Sequence, residues 1–471
     1  MPVVSISDVM CVLLNYNRWW SGGANFELPQ VKRTAFHKVS ASVAKNTLTF
    51  LRGRIASGKT VVLYQVIQSL IENGVSPTHI VYIPMQHPAF SAISIADIIQ
   101  AYRENIYSVK EHVPDTYYFI DDVQCSSSWV EWARYICARD RGVGARLILS
   151  GVMLPNGVEL DSIDTSNDTV SLSALSFYEY CNIFTDIRTP SSLKGFDLQK
   201  YYSLSQRDQK YLIASLAPIR KHLARYIRIG SYPKQISPGD AEKSILRSLT
   251  QMLYRDIGYN YGIRRVEDLQ TVFLSLCYND RQPVSFEHLA RELGISRKTV
   301  EKYVSLLRQA GLIFTSNALA IDGTPLLKDR PKIYISDIAT RNAIVQKEIS
   351  WSGDEMMNYG IELSAFRELS FLYGDHGRVG YCRTAPGRYV DIVVSGRGVK
   401  NFVDVHYQDK LTLAGNDALF AYANETKQAF VLTKSESDFG PISGMPPHVF
   451  RIPAFAYLYI LGYTTMQHTK Q

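Results

Sequence analysis

Six cysteines are spread thinly over 471 residues, at positions 11, 125, 137, 181, 277 and 382, and no two stand at CxxC spacing. That pattern excludes a zinc ribbon and a redox dithiol, and scattered thiols in a long chain fit a reducing compartment. Long apolar runs are missing as well. The longest, around Ile452–Tyr463, falls short of the ~20 residues a membrane-spanning helix needs. The first residues, Met1–Cys11, do not place a basic segment ahead of an apolar one, as a signal peptide would. There is no internal repeat, no low-complexity tract and no stretch stripped of apolar residues, so a solenoid and a long disordered arm are excluded. These absences predict a cytoplasmic protein without a membrane partner.

A strong charge of either sign is lacking too. The formal net charge is +7, which permits nucleic-acid contact without establishing it, because the placement of charge matters more than its sum. With 46% hydrophobic and 20% charged residues the chain is ordinary globular protein. At roughly 100–200 residues per domain, its length predicts two to four domains.

The first 45 residues hold an aromatic knot, Tyr16-Asn17-Arg18-Trp19-Trp20, expected to pack as a lead-in on the next domain. From 46 to 188 strand and helix patterns alternate. Thr47–Leu51, His79–Met85, Tyr117–Ile120 and Arg146–Leu149 read as buried strands, and Val61–Ile71, Ile95–Ile106 and Trp129–Ala138 as helices. Such alternation predicts a parallel sheet covered on both faces. Residues 189–275 are polar, tyrosine-rich and helical in period, with a turn at Gly230–Pro233. A small helical module is expected over 276–320. Strands return over 321–471, at Lys332–Ile335, Val390–Val394 and Asn401–Val405.

Within the first strand-helix junction, Gly53-Arg54-Ile55-Ala56-Ser57-Gly58-Lys59-Thr60 matches GxxxxGK[ST] in full. The glycines let backbone N–H groups turn inward around phosphates, Lys59 brings a positive charge to the β- and γ-phosphates, and Thr60 offers a hydroxyl to magnesium. The helix after the loop points its positive end at the anion. Gly53, Ala56, Ser57, Gly58, Lys59, Thr60 and Val61 are therefore expected to hold ATP. A second motif, Tyr117–Asp122, is an apolar strand ending in two acids. Asp121 is expected at the Mg2+ shell with Thr60, and Asp122, with Lys59, at the chemical step by polarising the attacking water. Ser150 closes the next strand, where it either senses the γ-phosphate or simply forms the turn before Gly151. Arg134, Arg139, Arg141 and Arg146 are all available as an arginine finger, and the sequence does not choose among them.

These residues resemble the bacterial and archaeal AAA-type ATPases that carry a C-terminal DUF4143 domain. The resemblance runs from about Asn17 to about Lys410 and rests on NRWW (17–20), GRIASGKT (53–60), YFIDDVQ (118–124), LILSG (147–151), SLSALSFYEY (171–180), GSYP (230–233), YRDIGYNYGI (254–263) and YISDIATRNAI (334–344). It implies an α/β protein: a P-loop NTPase sheet of AAA type, a helical segment, a winged helix and a C-terminal restriction-endonuclease-like α/β domain. Two positions depart from the family pattern. Asp122 stands where glutamate is usual, which shortens its reach to water, and Gln86 stands where an acid is common.

Residues 285–312 read as helix, turn, helix, with Gly294 at the turn, Ser296 capping the second helix, and Val300, Tyr303, Val304 and Leu307 facing inward. Arg297, Lys298, Thr299 and Lys302 then face outward, where DNA readers place groove contacts, with Arg308 extending the basic surface. DNA contact and a protein-binding module with a solvated basic face both fit. Farther on, Asp391 and then Asp404-Val405-His406 resemble a metal-dependent nuclease motif with histidine in the lysine position, and Glu362 adds a carboxylate from a preceding helix. An active nuclease and a degenerate one both remain open. The expectation is an ATP-driven switch that engages DNA or a protein partner, with a nucleotide-gated nuclease and a non-hydrolysing scaffold as the alternatives; an oligomer is compatible with each.

Overall fold

The computed structural model describes residues 5–23, 26–90, 93–107, 115–126, 128–155, 157–233, 241–279, 282–326, 328–345, 353–374, 377–385, 388–396, 399–410 and 418–470. It divides into two compact units. The first comprises 1–173 with 250–264, and the second 174–249 with 265–471. The stretch 189–275, expected as one helical segment, is thus split between the two.

In the first unit the order is α1 (Ile6–Tyr16), α2 (Thr34–Lys45), β1 (Leu48–Arg52), α3 (Lys59–Glu72), β2 (Ile80–Pro84), α4 (Ile95–Ile106), β3 (Tyr117–Asp121), α5 (Trp129–Asp140), β4 (Arg146–Gly151) and β5 (Asn167–Ser171). The five strands form one sheet in the order β2-β3-β4-β1-β5, every pair parallel. Alternation along each strand sorts side chains to opposite faces. Val81, Ile83, Tyr118, Ile120, Leu147 and Leu149 pack under α1, α4 and α5, against residues such as Leu13, Ile98 and Trp132. Ile80, Tyr82, Phe119, Ile148 and Leu51 pack under α2 and α3, against Val39, Val62 and Val66. Both faces being covered, the strands read as near-continuous apolar runs. The exception is β5, Asn-Asp-Thr-Val-Ser, an edge strand with only Val170 buried. Its polar sequence hid it from periodicity.

The aromatic knot has a specific task. β2 is an edge strand, and its outward backbone groups need partners. Asn17 supplies both kinds: its Oδ1 accepts from the Tyr82 N–H at 2.6 Å and its Nδ2 donates to the Tyr82 carbonyl at 2.9 Å. The Trp19 and Trp20 indole N–H groups both donate to the Ile80 carbonyl, at 3.0 and 2.8 Å.

In the second unit come α6 (Phe177–Phe184), α7 (Gln206–Leu216), α8 (Arg220–Ile229), α9 (Ala241–Gln251, whose last residues belong to the first unit), α10 (Val266–Tyr278), α11 (Phe286–Leu293), α12 (Arg297–Gln309), β6 (Ile313–Leu319), β7 (Lys332–Ile335), α13 (Ile338–Val345) and α14 (Gly353–Tyr373). Next are β8 (Arg378–Ala385), β9 (Arg388–Gly396), β10 (Val399–His406), α15 (Ala418–Tyr422), β11 (Gln428–Thr433), β12 (Gly440–Pro441), β13 (Val449–Pro453) and α16 (Ala454–Lys470). The strands form one mixed sheet in the order β12-β13-β11-β10-β9-β8-β6-β7. The apolar run near the end of the sequence becomes α16, buried from Ala454 to Leu461 in the main core of this unit. No helix among the described residues is long and apolar enough to cross a membrane.

Two of the family-like segments meet here. Ser176 and Glu179, from LSFYEY, form a capping box on α6, with Glu179 N–H donating to Ser176 Oγ at 3.0 Å and Ser176 N–H to Glu179 Oε2 at 3.2 Å. The Leu175 N–H donates to the carbonyl of Ser231, in GSYP, at 2.7 Å. The buried Arg367 guanidinium on α14 ties both together, donating to Ser231 Oγ at 3.0 Å, the Leu175 carbonyl at 2.8 Å and Tyr226 Oη at 2.7 Å. Replacing it strands several buried polar groups at once. Arg367→Met should therefore lower unfolding stability by about 3 kcal/mol in chemical denaturation, and Arg367→Lys should recover little, because an ammonium lacks the fork that serves several acceptors. Stability of Arg367→Lys equal to wild type would remove this role.

Candidate functional site

The phosphate-loop sequence sits at the carboxyl end of β1, and Asp121 closes β3; β4 runs between them. Ligands of open parallel sheets gather at this end. The loop conformation demands its small residues. Gly58 has φ +96° and Ala56 φ +68°, both in the left-handed region. A Cβ on Gly53 would lie 2.7 Å from Ser57 Oγ and 2.9 Å from the Leu172 carbonyl. Lys59, first residue of α3 and buried, folds its ammonium into the loop, donating to the carbonyls of Gly53 at 3.1 Å and Arg54 at 3.4 Å. It lies 3.7 Å from Asp122 Oδ1. Arg33 braces the loop from outside through the Ser57 carbonyl at 2.8 Å.

Asp121 is the buried centre. The Thr60 hydroxyl donates to its Oδ2 at 2.6 Å, the Tyr82 hydroxyl to the same oxygen at 2.8 Å, and Ser150 Oγ to its Oδ1. Burial and the neighbouring Asp122 push its carboxyl above the usual carboxylate range, against the pull of Ser150, Thr60 and Lys59. Burial and Asp121 likewise hold the Tyr82 phenol far above its ordinary value, which keeps it a donor. Asp122 is at φ +56°, an uncommon conformation for a non-glycine residue and of the kind that recurs at functional sites. The Gln86 amide donates to its Oδ2 at 2.5 Å and the Gln124 amide to its Oδ1 at 3.1 Å. An acid at position 86 would repel Asp122; glutamine instead fixes it.

The residues expected at one site do converge: Gly53 to Thr60, Asp121, Asp122 and Ser150 lie together. Ser150 departs from a phosphate sensor, since its hydroxyl is engaged by Asp121 and accepts from the Asp122 N–H at 3.2 Å. Of the arginines considered for a finger, Arg134 donates to Ser162, Arg139 lies against Tyr135 and Arg146 donates to the Gly144 carbonyl; the Arg141 side chain lies outside the described residues. Sequence reasoning did not assign Tyr82, Gln124, Arg255 or Asp256. The last two stand in the YRDI segment, whose place in the first unit only the fold reveals. The groups present suit a magnesium–triphosphate. Ser57 Oγ is buried without a hydrogen-bond partner inside the loop, Lys59 is aimed at the loop interior, and Thr60 with Asp121 is a hydroxyl–carboxylate pair of the kind that holds Mg2+ and its water shell.

In the second unit the nuclease-like residues gather differently from their expected pattern. His406 Nε2 lies 3.0 Å from Asp404 Oδ2, and Asp391 Oδ2 accepts from the Val405 N–H at 3.0 Å. The missing lysine comes from β7. Lys332, 4% exposed, sets its ammonium 3.3 Å from Glu362 Oε1 and 3.5 Å from Asp391 Oδ1, with Tyr334 also donating to Glu362 at 2.6 Å. Burial alone would lower the Lys332 pKa, but Glu362 and Asp391 outweigh it and raise it. Burial and Asp404 push Asp391 up to about 6. Among the described residues no group of three His, Cys, Asp or Glu side chains is arranged to hold a metal ion. On α12, Lys298 and Lys302 are exposed and Thr299 half-buried, whereas Arg297 is paired with Glu301 at 2.9 Å and Glu287 at 3.5 Å. Ser296 caps that helix through the Thr299 N–H at 3.1 Å.

The family described as AAA domain matches residues 45–181, and the family described as Domain of unknown function (DUF8612) matches residues 220–350. The second is a different family from the DUF4143 that the resemblance implied. An uncharacterized protein of Haemophilus influenzae is 23% identical over 333 residues, 68% of this chain and 72% of the relative. Among solved structures, the Walker-type ATPase PABY2304 of Pyrococcus abyssi aligns at 12% identity and TM-score 0.38, over 66% of this chain and 94% of that one. AMPPCP-bound DnaA of Aquifex aeolicus aligns at 13% identity and TM-score 0.22, over 66% and 92%. The AAA domain match and the parallel sheet with its loop give the first unit a P-loop NTPase fold.

The raised Asp121 carboxyl has a consequence for stability. A folded pKa above the unfolded one means a stabilising contribution present below the unfolded value and lost as pH rises through the folded one. Asp121→Asn should therefore raise the metal-free Tm near pH 8, measured in chelator, and the gain should shrink as pH falls toward the acid range. A lower Tm at pH 8 would show that the three hydroxyl donors outweigh burial.

Proposed function

From an AAA-type P-loop fold carrying this cluster, we propose that the chain is a Mg2+-dependent ATPase working as a nucleotide-driven switch that engages DNA or a protein partner. The observation that carries the reading is the convergence of Lys59, Thr60, Asp121 and Asp122 from two sequence motifs onto one point. Backbone N–H groups of the loop and Lys59 would bind the triphosphate. Thr60 would coordinate magnesium, with Asp121 holding the metal's water shell. Asp122, fixed by Gln86 and Gln124, would orient the attacking water. Magnesium would neutralise charge on the phosphates.

Engagement of DNA rests on the helix–turn–helix of α11 and α12, with Lys298, Lys302 and Arg308 exposed on the second helix. Arg297 contributes less there, being neutralised by two glutamates. A winged helix followed by a nuclease-like α/β sheet remains the family-level reading of the second unit. Cleavage finds less support, because the Lys332 ammonium stands among the carboxylates.

The test is steady-state ATP hydrolysis with and without duplex DNA. Wild type should turn over with magnesium and faster with DNA, and Lys59→Ala and Asp122→Asn should each lose about 100-fold or more. Wild-type turnover no higher than that of the variants would remove the ATPase reading. Turnover indifferent to DNA would move the partner to protein.

A further inference from the structure

The chain returns to the first unit for one short stretch, residues 250–264, between two parts of the second. Met252–Tyr259 within it forms a π-helix, a rare conformation that recurs at functional sites. Its position is set by several groups at the carboxyl ends of the strands. The Tyr261 hydroxyl donates to the Leu154 carbonyl, just beyond β4. Arg255 and Asp256 are close enough to Asp122 for their charges to act on one another, Asp256 also feels Lys59, and Arg255 feels Cys125, which lies just past the acidic pair. The stretch therefore lies over the phosphate-loop site.

Two side chains there are built for one arrangement. The Arg255 Nε donates to Asp256 Oδ1 at 2.7 Å. The Gln251 amide oxygen, in the orientation its surroundings require, accepts from Nη2 and Nη1 at 2.7 and 2.9 Å. Asp256 is 1% exposed and Arg255 37%, so the acid is hidden and the cation is partly open. Asp256 Oδ2 is buried without a hydrogen-bond partner. An acid kept there, with one oxygen unsatisfied, makes sense if its task is to hold the guanidinium in place. Along the backbone, a π-turn allows consecutive residues 255 and 256 to serve the same spot.

Resting on the ATPase reading, we propose that Arg255 is the group by which this protein distinguishes a nucleoside triphosphate from a diphosphate, with Asp256 and Gln251 as its positioning residues. A terminal phosphate reaching past Lys59 draws the guanidinium from Gln251 into a charge-assisted contact, whereas a diphosphate leaves it with Gln251 and Asp256. Because the chain runs directly from this stretch into Arg265 and the rest of the second unit, the same exchange gives the nucleotide state a covalent route outward.

The experiment compares the affinity of the full-length protein for Mg2+·AMP-PNP and Mg2+·ADP by equilibrium titration. One charge-assisted hydrogen bond corresponds to about a tenfold preference or more, expected here for the triphosphate analogue. Arg255→Ala should bring the ratio to about one while ADP affinity stays within about threefold, Arg255→Lys should keep part of the preference, and Asp256→Asn should give an intermediate ratio. An unchanged ratio in Arg255→Ala overturns the proposal. So does a parallel loss of both affinities, which would mark Arg255 as structural, and so does a wild type that binds both ligands equally, although the nucleotide site would stand. A wild type that binds neither removes the ATPase reading, and this proposal with it.

Discussion

A carboxylate shut away from water is expensive, and this protein keeps one at the end of its central strand. Asp121 is made tolerable by three hydroxyls from three elements: Thr60 on α3, Tyr82 on the edge strand β2 and Ser150 on β4. Much of the first unit is arranged to keep those donors in register. β4 must lie between β1 and β3 for Ser150 to reach across. β2 must stay paired to β3 for Tyr82 to arrive, and that explains why Asn17, Trp19 and Trp20 are committed to the outer edge of β2 rather than to any ligand. The same carboxylate beside Asp122 is electrostatically unfavourable until a divalent cation joins them, so the site trades stability for affinity.

Asp122 shows a related economy. A shorter acid than the usual glutamate would wander or fall short, but here it is pinned by two glutamine amides and held in a left-handed backbone conformation. The two departures from the family pattern, Asp122 and Gln86, are therefore one feature: the amide donor at 86 complements the acid at 122. A sequence comparison scores them as two separate anomalies.

The loop, the acidic strand end, four of the five strands and their helices were legible because their signals are local: a glycine spacing, an apolar run, a helical period. β5 was not, since an edge strand needs no apolar alternation to pair with β1. β11 and β13 also escaped notice, being short runs whose pairing is decided far along the chain. In the site, Tyr82 looked like one more core aromatic and Lys332 like part of an ordinary strand. Arg255 and Asp256 were visible only as a family-like string, because what brings them to the loop is the return of residues 250–264 to the first unit. The lysine missing from the late acidic motif was sought beside Asp404 on its own strand and is supplied instead by a different one, β7. Several family-like segments, NRWW, LSFYEY and GSYP among them, turn out to serve edge pairing, capping and a buried guanidinium.

The central claim is that Thr60 and Asp121 form the magnesium end of a triphosphate pocket, and a crystal structure of the protein grown with Mg2+ and a non-hydrolysable ATP analogue tests it most directly. The account predicts a metal about 2.1 Å from Thr60 Oγ1 and from two phosphate oxygens, with Asp121 bonded to its water shell and Lys59 against the phosphates. A nucleotide bound elsewhere, or a metal held without Thr60, would contradict it.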